Sequence, residues 1–488
     1  MDFARTTTFM ERIWDDEIIP ALTAYIRIPN KSPAFDADWE KHGHMEKVVG
    51  LFSGWAKAKL SAFPGAALEV VRLEGRTPLI LIEIPGASPG TVLMYGHLDK
   101  QPEMVGWDEG CGPWEPVIRD GKLYGRGGAD DGYAMFASIA ALLALKQQGL
   151  AHARCVILIE ASEESGSPDL PFYIDHLAAR IGEPDLVVCL DSGCGNYDQL
   201  WLTTSLRGNL LGSLTVKVLT EGVHSGAASG IVPSSFRILR QLLSRIEDEA
   251  TGRMKLPELF VEIPAERVRQ AEATAAILGD EVWSGLPFAG KTKPMTPEHR
   301  PGERSEPSAV RPLKDTNAQI ILAKTWEPQL AVTGMAGYPL PRDGGNVLLP
   351  FSTAKLSVRL PPTADAGKAR AALKMALEKD PPCDAEVVFD TPRGDDGWNA
   401  PPLAPWLETS LNKASRCAFG KPVAYQGEGG SIPFMAMLGE KFPKTQFVVT
   451  GVLGPHSNAH GPNEFLHIAF AKKLSAAIAR VIADHGAR

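Results

Sequence analysis

Residues 91–99, TVLMYGHLD, form an apolar run that ends in a histidine and an aspartate. Two later segments repeat this pattern: residues 155–164, CVILIEASEE, end in two glutamates, and residues 186–191, LVVCLD, end in an aspartate. Continuous apolar runs separated by a helical segment, here residues 132–148, are typical of parallel strands covered on both faces. The sequence therefore predicts an α/β fold with a mostly parallel central sheet.

The polar residues that follow these runs are candidates for a shared site. In open α/β sheets, ligands bind beyond the carboxyl ends of the strands. His97, Asp99, Glu163, Glu164 and Asp191 are therefore expected to converge at one edge of the sheet. Taken singly, each acid could equally be a helix cap or a solvated loop residue, but their coincidence favours a functional site.

A glycine-rich segment, residues 123–132, LYGRGGADDG, adds Asp130 directly before the predicted helix. Ionised carboxylates in one pocket repel each other and raise each other's pKa. Divalent cations would neutralise this charge, and a mixture of imidazole and carboxylate ligands suits zinc, manganese or cobalt better than calcium. We therefore expect two divalent metal ions per subunit, with zinc preferred and manganese or cobalt as alternatives.

The pattern of the chain changes after about residue 205. Residues 212–218 and 354–360 alternate between apolar and polar side chains, as strands with one solvated face do. We predict a catalytic domain formed by residues 1–205 and 397–488, and an inserted, smaller α+β lid domain formed by residues 206–396. Residues 284–312 carry six prolines and are expected to be a long loop or insertion within the lid.

Composition excludes several classes of function. The 488-residue chain carries 50 basic and 58 acidic residues, a net charge of −8, and no basic stripe, so nucleic acid is not expected as a partner. The N-terminus has early acids and no apolar core of a signal peptide, and no membrane association is expected. The six cysteines form no CxxC pair, so neither a disulfide framework nor a thiolate zinc site is predicted. A cytoplasmic protein is the simplest interpretation.

Five motifs occur in a fixed order along nearly the whole chain: GHLDKQP, LYGRGGADDG, EASEESGS, LDSG and NAHGPNE. Together they resemble the M20 family of metallopeptidases, and most of all its branch of carnosinase and cytosolic non-specific dipeptidase. The resemblance implies a catalytic domain with two metal ions and a lid domain that forms a homodimer. It also implies a cis peptide bond between Asp130 and Asp131.

The resemblance assigns a role to each residue of the predicted metal site. His97 and Asp191 would bind one metal ion, Glu164 and His460 would bind the other, and Asp130 would bridge both. Asp99 would orient His97, and Glu163 would be the general base that activates the attacking water. His456, four residues before His460, is the competing histidine of the same segment.

The resemblance also assigns substrate contacts. His224, in the motif GVHSG, would reach the active site of the partner subunit and stabilise the oxyanion. Asn346 and Arg359 would hold the oxyanion and the C-terminal carboxylate of the substrate. Gly430 and Ser431, in GEGGSIP, would belong to a loop that contacts the substrate, although a tight turn is the alternative.

Three functions remain to be compared. The first is a dipeptidase or related exopeptidase that cleaves small amide substrates. The second is an N-acyl-amino-acid deacylase or carbamoylase of the same architecture. The third is a non-catalytic binding protein on a relic fold, which the presence of all matched residues argues against. Lys100, where a small or apolar residue is commoner, and an inserted Gly-Cys-Gly at residues 110–112 depart from the branch's pattern.

Overall fold

The computed structural model describes residues 1–289, 310, 312–392 and 394–488, so most of the proline-rich stretch 284–312 lies outside the described residues. The chain forms two compact units. The first unit comprises Met1–Thr204, Ala400–Gln426 and Met437–Arg488, and the second comprises Ser205–Asn399 and Gly427–Ala436. The segment Gly427–Ala436 thus clusters with the second unit, whereas the predicted boundaries place it with residues 397–488.

A six-stranded sheet forms the centre of the first unit. In spatial order its strands are Ala67–Val71, Leu79–Ile84, Ala153–Glu160, Ser88–His97, Leu186–Cys189 and Gln446–Val449. The last four strands run parallel to one another, and the first two form an antiparallel hairpin at one edge. The predicted α/β class with a mostly parallel sheet is confirmed.

Helices pack against this sheet, and its central strands are almost wholly buried. Ala134–Gln147 is apolar on every side and almost wholly buried, as a helix in the interior of a large domain should be. The C-terminal helix Ile468–Gly486 is buried over most of its length and packs against it. The other α-helices of this unit are Phe3–Ile13, Ile19–Ile26, Trp39–His42, His44–Leu60, Leu170–His176, Ala178–Ile181 and Pro405–Phe419.

One predicted helix boundary is wrong. The amphipathic pattern of residues 464–484 predicts a terminal helix over the whole stretch. Phe465–His467 is instead a short strand that pairs with Lys122–Tyr124, which pairs in turn with Val117–Arg119. The helix begins after His467, whose Nδ1 accepts a hydrogen bond from the backbone N–H of Phe470 at 3.2 Å. This N-cap fixes the start of the helix, so the motif NAHGPNE lies before the helix and not in it.

The second unit is built on an antiparallel sheet. Its strands, in spatial order, are Gln329–Ala336, Phe351–Leu360, Gly208–Lys217 and Glu386–Asp390, with Gly394–Asp395 also paired to the third. Alternate residues of Phe351–Leu360 are buried against the helices Ser235–Ile246 and Ala366–Glu378. The opposite face carries polar side chains, so the predicted half-solvated sheet is observed.

The remaining elements are short and belong to the second unit or to segments where the chain passes from one unit to the other. The two-residue strands Val223–His224 and Val347–Leu348 pair with each other. The remaining α-helices are Ser225–Ala228, Ala265–Leu278, Glu281–Ser284 and Asn317–Trp326, and Pro433–Lys441 spans a unit boundary. Trp201–Leu206, Trp398–Asn399 and Ala424–Glu428 form a three-stranded sheet. Within the described ranges, no helix is both long and apolar enough to cross a membrane.

Candidate metal centre

Parallel pairing delivers the predicted ligands to one edge of the central sheet. Ser88–His97 lies between Ala153–Glu160 and Leu186–Cys189, with His97 opposite Glu160 and Tyr95 opposite Cys189. The loops that carry Glu163, Glu164 and Asp191 therefore leave the sheet beside His97. The convergence expected at the strand ends is what the structure shows.

Two groups of side chains could each hold a metal ion. His97, Asp130 and Asp191 form one group, and Asp130, Glu164 and His460 form the other, with the candidate ligand atoms of each group within 4.8 Å of one another. His97 Nε2 lies 3.4 Å from Asp130 Oδ1 and 3.7 Å from Asp191 Oδ1. His460 Nε2 lies 3.0 Å from Asp130 Oδ2 and 3.4 Å from Glu164 Oε2. The two oxygens of Asp130 thus face different histidines.

The glycine-rich segment holds Asp130 in this position. The Asp130–Asp131 peptide bond is cis, and Gly127 has a φ of +84°. A Cβ atom on Gly127 would lie 2.7 Å from Lys100 Cε and 2.8 Å from Tyr25 Oη. Glycine is therefore required here both for the backbone angle and for the close approach of the neighbouring side chains.

Asp99 connects His97 with the glutamate pair. His97 Nδ1 lies 3.4 Å from Asp99 Oδ1 and 3.2 Å from the Asp99 carbonyl oxygen, so Asp99 faces the ring nitrogen that points away from Asp130. The two carboxylate oxygens of Asp99 also accept hydrogen bonds from the backbone N–H groups of Glu163 and Glu164, at 3.1 and 3.0 Å. One buried carboxylate therefore fixes both the imidazole and the turn that carries the proposed base.

The electrostatics of the cluster show an excess of buried negative charge. Burial, and then the neighbouring carboxylates, raise the pKa of Glu163 and of Glu164 well above the usual range. Burial also raises the pKa of Asp191. Burial alone would lower the pKa of His97, but Asp191, Asp130 and Asp99 raise it well above its ordinary value. A cation in the cluster would relieve this repulsion.

An unpartnered atom tests whether the residues fit a metal ion. His97 Nε2 is buried and has no hydrogen-bond partner among the described residues, although it points between two carboxylates. A buried polar atom without a partner is rare in folded proteins. A neutral imidazole nitrogen surrounded by carboxylate oxygens is a donor set that divalent transition metals favour. The residues present therefore fit a metal centre.

Sequence reasoning missed two residues that join the ligand segments. The buried guanidinium of Arg126 donates to Glu464 Oε2 at 2.6 Å, to the Gly461 carbonyl at 2.7 Å and to the Pro102 carbonyl at 3.2 Å. Glu464 Oε1 also accepts from the backbone N–H of Gly127 at 2.9 Å. The sequence signal for this pair was that the motifs LYGRGGADDG and NAHGPNE contain residues of opposite charge. Motif spacing alone does not show that two residues so far apart in sequence form an ion pair.

The side chains of two residues of the motif GHLDKQP also form hydrogen bonds. Gln101 Nε2 donates to Glu164 Oε2 at 2.5 Å. The buried Lys100 ammonium donates to the carbonyls of Tyr25 and Ile28, each at 2.8 Å, where the helix Ile19–Ile26 ends. Lys100 therefore satisfies backbone groups that the end of a helix leaves without partners.

The structure places the predicted substrate residues in two places within the second unit. His224 is exposed at the end of its two-residue strand, and the next residue, Ser225, donates its backbone N–H to the Asn346 carbonyl at 2.8 Å. Arg359, by contrast, lies on Phe351–Leu360 near Arg207, which contacts the loop of Gly430 and Ser431. His456 is exposed, and neither candidate metal group includes it.

Comparison with known proteins decides the family. The sequence profile of Peptidase family M20/M25/M40 matches residues 93–484. The chain belongs to this family. The match covers the strand ends, the glycine-rich segment and the loop of His460, so it includes every candidate metal ligand described above.

Relatives of this M20 peptidase include dipeptidases. It is 25% identical over 430 residues to the cysteinylglycine-S-conjugate dipeptidase of Corynebacterium striatum, a match that covers 86% of this chain and 87% of the relative. It is 26% identical over 419 residues to the human Beta-Ala-His dipeptidase, which covers 82% and 76% of the two chains. The crystal structure of human carnosine dipeptidase 1 has the same fold, with a TM-score of 0.76, 21% identity and coverage of 100% and 99%.

Proposed function

We propose that this M20 peptidase is a dipeptidase that uses two divalent metal ions to hydrolyse the peptide bond of dipeptides or short peptides. The observation that carries the proposal is Asp130, whose two oxygens belong to two separate groups of candidate ligands. The dipeptidases among its relatives support the substrate class. Since the relatives compared above are dipeptidases, the N-acyl-amino-acid deacylase or carbamoylase is the less favoured alternative.

Each metal ion would be held by one of the two groups, and Asp130 belongs to both groups. His97 and Asp191 would bind one ion, Glu164 and His460 the other, and Asp130 would bridge them. Zinc suits this set of imidazole and carboxylate ligands best, and manganese or cobalt could replace it. Ions bound there would polarise the scissile carbonyl and lower the pKa of the attacking water.

The residues around the ligands would move the protons. Glu163 is half-buried near Asp191 and His97, and its backbone N–H donates to Asp99. As general base it would take a proton from the attacking water and return it to the leaving amine. Asp99 contacts the other ring nitrogen, Nδ1, and would thereby keep His97 Nε2 directed at the metal. Arg126 and Gln101 would position the ligand loops.

The second unit would bind the substrate and complete the site in a homodimer. Arg359, Gly430 and Ser431 would hold the C-terminal residue of the substrate, and His224 of the partner subunit would stabilise the oxyanion, assisted by Asn346. The edge strand Gln329–Ala336 supports dimerisation through this unit. It is exposed along most of its length and leaves Val332 and Met335 47% and 48% exposed, and such an edge is a template for pairing with a second chain.

We place the enzyme in the cytoplasm. All six cysteines are free thiols, and three of them are buried. Free thiols persist in reducing compartments, whereas secreted proteins tend to pair them.

Hydrolysis by the metal-reloaded protein tests the proposal. The purified protein is stripped with a chelator, reloaded with zinc, manganese or cobalt, and assayed on unblocked dipeptides and on the matching N-acetyl amino acids. We expect metal-dependent cleavage of the dipeptides and little cleavage of the acetylated compounds. Cleavage of the acetylated compounds alone would move the enzyme to the deacylases.

A further inference from the structure

Arg207 is a buried arginine with an unused donor. It directly precedes the strand Gly208–Lys217 and is 9% exposed. Its Nε donates to the Gly429 carbonyl at 3.1 Å, and its backbone N–H donates to the Gly430 carbonyl at 3.0 Å. Its Nη1 is buried and has no hydrogen-bond partner in the part of the chain that the structure describes. The unused donor belongs to the same side chain that holds the Gly429–Ser431 loop.

The charged group that affects Arg207 most is also positive. Burial, and then the charge of Arg359, lower the pKa of Arg207 to about 10. Neither Arg207 nor Arg359 forms an ion pair with any acidic residue of the described chain. A Cβ atom on Gly429 would lie 3.2 Å from Arg207 Nη2 and 3.3 Å from the Lys324 carbonyl, so this glycine leaves the guanidinium the room that it occupies. Two neighbouring guanidinium groups without a carboxylate form an arrangement that an anion would stabilise.

We propose that Arg207 and Arg359 together bind the carboxylate of the substrate's C-terminal residue, which makes Arg207 a further substrate-binding residue. This inference rests on the proposed function, because it assigns the anion to the substrate. The planar guanidinium of Arg359 can bind a carboxylate through two parallel hydrogen bonds, and Arg207 Nη1 supplies a third donor. Arg207 also ties this receptor to the Gly429–Ser431 loop.

The test compares substrates with and without the negative charge. The ratio of kcat/KM for alanyl-alanine to kcat/KM for alanyl-alaninamide is measured for the wild type, Arg207→Met and Arg207→Lys. The ratio is expected to fall about 10- to 100-fold in Arg207→Met, mainly through a higher KM for the free acid, and to fall less in Arg207→Lys. Arg267→Met is the matched control, because Arg267 is also buried in this unit but donates to Asn399 and Gln270. Its ratio should equal that of the wild type.

Two results would overturn the inference. The first is an equal loss of kcat/KM on the acid and on the amide, because a residue that only supports the loop would affect both substrates alike. The second applies if Arg207→Met does not fold: it is an acid-to-amide ratio of kcat/KM in Arg207→Lys that equals the wild-type ratio. If the enzyme cleaves N-acetylalanine instead of dipeptides, the same comparison is made with N-acetylalanine and its amide, so the proposed function can fail while the carboxylate receptor is still tested.

Discussion

The metal ligands of the first unit and the substrate residues of the second differ in how they are held. Asp130, which belongs to both ligand groups, and Asp99 and Glu464, which hold the ligand loops, each receive hydrogen bonds or ion pairs from two or more neighbours, and all three are buried. His224 and Asn346 lie on short, exposed segments that are joined by a two-residue strand pairing and by the hydrogen bond from Ser225 to Asn346. A single chain therefore brings both ligand groups together, with His460 as their exposed member, whereas the segments of His224 and Asn346 have the exposure expected of a surface that a second subunit completes.

The sharpest test of the buried cluster is Glu163→Gln. Loss of a general base should lower kcat about 100- to 10,000-fold, because the amide cannot take the proton of the water. Metal content should stay near that of the wild type, since Glu163 belongs to neither ligand group. Steady-state kinetics and elemental analysis measure the two quantities. An active Glu163→Gln enzyme would remove Glu163 from the mechanism.

His224→Ala probes the exposed region. Removal of one oxyanion donor should lower kcat about 100- to 1,000-fold, while the melting temperature stays unchanged because the side chain is exposed.

Mixed dimers distinguish action between subunits from action within one. Co-expressed His224→Ala and Glu163→Gln chains should form dimers in which one of the two sites has both residues intact. Isolated heterodimers with no more activity than either parent would show that His224 does not act on the partner subunit.

Arg126→Met tests the link between the ligand loops. Residues that orient metal ligands typically contribute 10- to 100-fold to metal affinity or activity, and we expect a loss of about this size, with weaker zinc binding. Arg480→Met is the control, because Arg480 is also a buried arginine with an acidic partner, Asp484, but lies in the C-terminal helix. Equal zinc affinities in the two variants would contradict the positioning function of Arg126.

Lys100→Ala should have the smallest effect on rate and a clear effect on stability. It removes the donor of two buried hydrogen bonds to Tyr25 and Ile28, and we expect the free energy of unfolding to fall by about 2–4 kcal/mol. Lys41→Ala, at an exposed ion pair with Asp38, should change it by less than about 1 kcal/mol. Urea denaturation measures both values. Similar losses would show that Lys100 does not hold the helix end.

The comparison also explains what the sequence could predict. The strand ends at His97 and Asp191 could be predicted, because an apolar run indicates a buried strand and the polar residue after it indicates where the strand ends. The Arg126–Glu464 pair could not be derived, because nothing local indicates which residues meet across 338 positions. The strand Phe465–His467 was also missed, since its pairing with Lys122–Tyr124 is a tertiary contact. Arg207 lies outside the five quoted motifs, and its burial and its unpartnered Nη1 are visible only in the structure.

The number of zinc ions bound per chain tests the central claim most directly. After zinc loading and removal of free metal, elemental analysis of the wild type should give two ions per chain. Asp191→Asn should retain one, because the group of Asp130, Glu164 and His460 remains. A wild-type chain that binds only one ion, or none, would contradict the account of a centre shared by two metals through Asp130.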